Sequence, residues 1–214
     1  MSVVFDNLDL YLRGARTTIE LTALSFVVAF VLGVVIAGFR VSPIPPLRVA
    51  GAFWVETFRN TPVVVLISLF FFGLTKVGLL YTPFVTALIV LSIYTSSFVA
   101  ETVRAGINAV SRGQAEAARA LGLTFAQTLR IVVLPQALRT VVAPLGSVLI
   151  ALIKNSGIAT VIGVMELTGA ADRLNNTTEQ PIPVFLGAAV AYVLIALPTG
   201  WGVGVLERRV AIKR

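Results

Sequence analysis

The sequence contains no cysteine and no histidine. Without cysteine, disulfide usage says nothing about redox compartment. Without histidine, the commonest metal ligand and the usual base of a catalytic triad are both missing. Charge is scarce as well. Asp, Glu, Lys and Arg make up 13% of the chain, against about 25% in a soluble domain. What replaces them is apolar: 57% of the 214 residues are hydrophobic, and the mean hydropathy is +0.94. That balance describes a membrane protein. The net charge of +7 does not point to nucleic acid, because the basic residues fall between apolar runs and not along one stripe of a soluble domain. Lipid headgroups and membrane orientation account for them better. Two further absences exclude functions. No G-x-x-x-x-G-K-[ST] loop surrounds Lys76 or Lys154, so the chain is expected to bind no ATP of its own. An intramembrane protease is excluded by the missing histidine and by Asp6, Asp9 and Asp172, which all fall outside the apolar runs.

A bilayer core of roughly 30 Å takes about 20 apolar helical residues to cross. Five stretches meet or approach that length: 21–39, 62–80, 83–100, 136–153 and 183–206. The fold class is therefore all-α, an integral membrane chain of five transmembrane helices forming one domain over 1–214, with no soluble domain and no clear internal repeat. Thr17 and Glu20 in "TTIE" read as a capping box opening the first span. The segment "MSVVFDNLDL" is acidic and precedes a long apolar run, so a cleavable signal peptide is not expected. Pro62, Pro83 and Pro183 each suit the first turn of a helix. "SPIPP", from Ser42 to Pro46, reads as a stiff turn between spans. Of the basic residues, all except Arg13, Arg16, Lys76, Lys154 and Arg173 lie on one side of five such spans, including Lys213 and Arg214. The positive-inside rule makes that side cytoplasmic and places the N-terminus outside.

One polar interruption stands out, "EAARALGLTFAQTLRIVVLPQ", within a loop over 111–135. Ser111 with Gln114 forms one candidate capping box, and Gly122 stands where a helix ends with positive φ. Thr124 with Gln127 forms a second box. It opens a helix with Phe125, Leu129 and Val132 on one face, until Pro135 breaks in. Ala115, Ala117, Ala118 and Ala120 keep the first helix thin, open to close approach by a partner. Glu116 and Arg119 share a face and can pair with each other or with a partner. The plain alternative is an amphipathic helix lying in the headgroups.

The stretch resembles the signature loop of permease subunits in ABC importers: E-A-A, three residues, G, nine residues, then I-x-L-P. Glu116, Ala117, Ala118, Gly122, Leu134 and Pro135 match, and Val132 replaces the isoleucine. "ETFRNTPVVVLI", "ETVRAGINAVSRGQ" and "LIKNSGIATVIGVMEL" are similar to corresponding stretches in the polar amino-acid uptake group. The likeness runs over nearly the whole chain. It implies the type I permease fold in a bacterial inner membrane, with the loop as a cytoplasmic coupling helix docked on an ATPase dimer. It also implies a second permease subunit, identical or sister, and an extracytoplasmic solute-binding protein. Glu116, Ala117, Ala118, Arg119 and Gly122 are the expected coupling residues. ATP would be hydrolysed by the partner. The further alternative is an ion-coupled secondary amino-acid transporter using Lys154 and Glu20, a class that usually has more helices and inverted repeats.

The substrate path is expected at Lys154, Asn155 and Ser156, where the fourth span ends in "IKNSGIATVIG" before an apolar segment too short to cross. A break there leaves backbone groups for a polar ligand. The alternative is that Lys154 snorkels to the outer headgroups. In relatives handling cationic amino acids the position after the lysine is often aspartate. Asn155 withdraws that charge, which favours an anionic ligand, glutamate or aspartate, with glutamine or another neutral polar amino acid next. Glu101 and Arg104 are expected to pair at a helix end. Arg59 and Asn60 are expected to anchor a helix end, with a gating role open to them. Glu166, Asp172, Arg173 and Glu179 are expected in a solvated outer loop.

Overall fold

The computed structural model describes residues 2–210, so Lys213 and Arg214 of the charge count lie outside the described residues. Among the described residues all regular elements are helical. In chain order they are α1 (Ser2–Asp6), α2 (Leu8–Val41), α3 (Pro45–Asn60), α4 (Val63–Lys76), α5 (Pro83–Ala109), α6 (Arg112–Ala120) and α7 (Phe125–Gln127). A π-helical turn, Thr128–Val133, then leads into α8 (Leu134–Asn155). A 3₁₀ segment, Ser156–Ile162, precedes α9 (Leu167–Thr178) and α10 (Pro181–Val210). Four runs are long and apolar enough to cross a bilayer: Leu8–Val41, Pro83–Ala109, Phe125–Ile162 and Pro181–Val210. The pair α3 and α4, bent by 99°, is long and apolar enough only when the two are counted as one span, which would bring the number among the described residues to five.

That bend corrects the expected span over 62–80. At about 1.5 Å per residue α4 is roughly 21 Å long, too short for the hydrocarbon core alone. The segment after "SPIPP" is not merely a connection, because α3 packs on both α2 and α5. Thr61, before Pro62, is extended at φ −94°, ψ 131°, since the proline ring disfavours a helical residue ahead of it. Side chains at the break bond back onto the last turn of α3. Asn60 Nδ2 donates to the Glu56 carbonyl at 2.9 Å, and Thr61 Oγ1 to that of Thr57 at 2.7 Å.

The first span also begins earlier than expected. Thr17 lies inside α2, its hydroxyl donating to the Arg13 carbonyl at 3.1 Å, and Glu20 accepts from Arg16. No helix starts there, because residues before Thr17 are held by distant parts of the chain. The Tyr11 hydroxyl donates to the Val184 carbonyl at 2.8 Å, and a Cβ on Gly14 would lie 3.1 Å from the Glu166 carbonyl oxygen. Pro83 does open its helix, after Thr82 caps it.

The long helices pack through small residues, as membrane bundles do. A Cβ on Gly33 of α2 would sit 2.9 Å from the Ser96 carbonyl oxygen of α5. Ser92 Oγ donates to the Leu88 carbonyl at 2.6 Å and also reaches that of Ser25 in α2. One apolar core joins Leu21, Ile67, Leu91, Leu152 and Ile162. A second joins Ile36, Val55, Val99 and Val103 toward the Ala109 end of α5. A third seats α9 against α2 and α10 through Tyr11, Leu167, Leu174 and Val184.

Candidate functional site

Two regions carry the candidate residues: an elbow beyond the Ala109 end of α5, and a cavity near the middle of the bundle.

The elbow follows from local chain chemistry. Helix α6 ends in a Schellman motif, with Leu123 N–H on the Ala118 carbonyl at 3.2 Å and Gly122 N–H on that of Arg119 at 2.9 Å. Gly122 takes φ +84°, and no atom lies within 4 Å of where its Cβ would be. Glycine is needed there for backbone conformation, not for space. The Thr124–Gln127 box forms with both arms. Ser111 caps α6 by position, yet its side chain makes no cap hydrogen bond, so the first expected box is absent. Pro135 does not end the second helix. The π-helical turn 128–133 hands over to α8 with Pro135 in its first turn, where a missing N–H is tolerated.

Glu116, Ala117 and Arg119 are exposed on the elbow, whereas Ala118 is 4% exposed. The small residues therefore serve two faces, Ala118 allowing α6 to close on its own second helix. Glu116 and Arg119 do not pair. Arg119 Nε donates to the Ala115 carbonyl at 3.3 Å. A hollow of about 650 Å³ separates the elbow from the ends of α2 and α5, lined by Val41, Ile107, Arg119, Phe125 and Leu129 among others.

The central cavity, about 310 Å³, lies between α5 and α8. Tyr94, Thr95 and Phe98 face Ser147, Val148, Ala151, Leu152 and Asn155 across it. Since Gly106 meets Val141 lower down, α5 and α8 run antiparallel, and Asn155 stands level with Tyr94. That level is roughly 17 Å along α5 from Pro83, at about 1.5 Å per residue. The Lys154–Asn155 segment thus stands level with the middle of α5.

The three expected path residues separate. Asn155 lines the cavity. Lys154 is exposed beside it, with no acidic partner at ion-pair distance among the described residues. Ser156 is fully buried, its hydroxyl donating to the Ile153 carbonyl at 2.7 Å, so it serves the chain and not a ligand. The helix also tightens where a break was expected. Ser156 N–H still bonds the Leu152 carbonyl, and the turn continues to Gly163 at φ +87°.

Sequence reading placed Arg59 at a helix end without its depth. The α3–α4 bend carries it to the middle of α5, where its guanidinium carbon lies 5.9 Å from the Phe98 ring centroid, a cation–π distance. Phe98 is a wall of the cavity. Arg59 is itself exposed at that level of α5. At the Ala109 end, Glu101 pairs with Arg104 as expected, and also with Arg40 of α2 at 2.8 Å. The segment expected as a solvated outer loop is largely a helix, α9. Asp172, Arg173 and Glu179 are exposed there, but Glu166 is not solvated: it is 0% exposed and caps α9.

Comparison with known proteins gives concordant results. Residues 29–212 match the family model described as "Binding-protein-dependent transport system inner membrane component". A probable glutamine ABC transporter permease protein, GlnM of Bacillus subtilis (strain 168), is 38% identical over 209 residues, covering 98% of this chain and 97% of that one. The glutamate transport system permease protein GluC of Corynebacterium glutamicum is 40% identical over 210 residues, covering 92% of each. A crystal structure of an amino acid ABC transporter with histidines superposes at TM-score 0.91 and 33% identity, over 96% of each chain.

Proposed function

The chain belongs to the family of binding-protein-dependent transport system inner membrane components, as the permease subunit of an amino-acid ABC importer, and on that premise we propose that its cargo is an acidic amino acid, glutamate or aspartate. One observation carries the reading. A cavity of amino-acid size at mid-depth has uncharged polar groups in its wall, from Tyr94, Thr95, Ser147 and Asn155, and a cation, Arg59, against its Phe98 wall. A cationic side chain would find no carboxylate there. Two cations adjoin the lining without being part of it: Arg59, on the Phe98 ring, and the exposed Lys154, next along the chain from Asn155. Glutamine is the second reading, favoured by the neutral lining and by the similarity to GlnM.

In this reading the loop over 111–135 is the coupling element. Glu116, Ala117 and Arg119 meet a cytoplasmic ATPase dimer, Gly122 sets the corner, and Ala118 keeps the two short helices together. The elbow and the Arg40–Glu101–Arg104 cluster face the cytoplasm, and the N-terminus lies outside. A second permease, identical or sister, closes the path around the exposed Arg59, and an extracytoplasmic binding protein delivers the cargo.

The test is ATP hydrolysis by the assembled complex in vesicles, with a panel of amino acids competing against radiolabelled glutamate. Hydrolysis stimulated by glutamate or aspartate, with uptake weakened by Asn155→Asp, is the expected result. Uptake driven by a proton or sodium gradient without any ATPase would overturn it. Preferential competition by glutamine would move the assignment to the second reading.

A further inference from the structure

Among the described residues, Glu166 is the only charged side chain that is fully buried, at 0% exposure. Four donors converge on it. Oε1 accepts from Gly169 N–H at 2.8 Å and from Thr160 Oγ1 at 3.1 Å. Oε2 accepts from Thr168 N–H at 3.0 Å and from the Tyr192 hydroxyl at 2.5 Å. Thr168 Oγ1 lies 2.9 Å from the same phenol oxygen, and with the Tyr192 proton committed to Glu166, Thr168 is the donor there. An ionised carboxylate only accepts hydrogen bonds, so this arrangement fits the anion. No cation stands at ion-pair distance among the described residues.

The donors come from three separate elements: Thr160 from the 3₁₀ segment, Thr168 and Gly169 from α9, and Tyr192 from α10. A fourth is joined at the next residue, where Leu167 N–H donates to Thr18 Oγ1 of α2 at 3.2 Å. The node also reaches toward the cavity. A Cβ on Gly157 would lie 2.6 Å from Thr168 Oγ1 and 2.8 Å from the Tyr192 hydroxyl oxygen. The Tyr192 hydroxyl that serves Glu166 and the Thr168 hydroxyl that serves Tyr192 therefore form the surface on which Gly157 rests, two residues beyond Asn155.

Taking the Asn155 cavity as the cargo station, we infer that Glu166 is a positioning residue for it: through Tyr192 and Thr168 its carboxylate fixes where the 156–162 turn lies, and so how Asn155 is presented. Glu166→Gln keeps the shape but turns an amide N–H₂ toward one of the donors, loosening the turn without emptying the site.

The experiment compares wild type, Glu166→Gln and Tyr192→Phe in the assembled complex. One readout is uptake per assembled complex. The other is the alkylation rate of this subunit carrying Ala151→Cys, a unique thiol in a chain without cysteine at a cavity-lining position. Uptake by Glu166→Gln is expected to fall about tenfold, as loss of a hydrogen bond to a charged group implies. Basal ATP hydrolysis stays unchanged and alkylation speeds up. Tyr192→Phe moves both in the same direction by less, and decides the matter if the glutamine variant does not assemble. Wild-type alkylation in both variants would overturn the inference. So would a loss of uptake that only tracks the amount of assembled complex. A wild-type complex that carries no acidic amino acid would overturn the cargo reading instead, while the alkylation comparison still decides the role of Glu166.

Discussion

The guanidinium of Arg59 lies 5.9 Å from the centre of the Phe98 ring. This contact joins the α3–α4 bend to the wall of the central cavity, and it brings to the middle of α5 a charge that hydropathy alone assigns to a helix end. Arg59→Met should lower glutamate uptake by at least about tenfold, the loss of one charge-assisted contact. Glutamine uptake should fall less. Arg59→Lys keeps the charge and should retain part of the activity. Competition assays in vesicles read all three.

Gly122 holds φ +84° with open space around the missing Cβ, so substitutions there report backbone conformation alone. Gly122→Ala should cost about 1–2 kcal/mol at the corner, and Gly122→Asn less. Gly122→Pro cannot adopt the conformation, because proline fixes φ near −65°. It should abolish cargo-stimulated ATP hydrolysis while the chain remains inserted. Unchanged stimulation would count against the elbow as a lever.

Glu116 and Arg119 do not bond each other, so their charges are free for a partner. Glu116→Ala should lower stimulated hydrolysis without moving the melting temperature. Exchanging the two charges, Glu116→Arg with Arg119→Glu, should fail to restore it. Restoration would show that the pair acts internally.

Glu101 holds two arginines from different helices, Arg40 in α2 and Arg104 in α5, all partly buried with side chains 16–31% exposed. Glu101→Gln leaves both cations without their acceptor charge. A loss of about 1–3 kcal/mol is expected, seen as a lower melting temperature of the purified complex. Arg104→Ala should cost less, since Glu101 keeps Arg40.

Much of this protein is local and therefore legible in one dimension. A bilayer forces each crossing to satisfy its own backbone, so apolar runs mark the spans wherever they pack. The corner at Gly122 and the Thr124–Gln127 box depend on atoms three to five residues apart, and both form as the sequence dictates. Where the start of α2 lies, how deep Arg59 sits and whether Glu166 meets water were decided elsewhere. Tyr11 is held by Val184, Thr18 by Leu167, and Glu166 by Tyr192. Those partners are brought together only when the helices pack, and a buried hydrogen bond between distant residues overrides the local preference that sequence expresses.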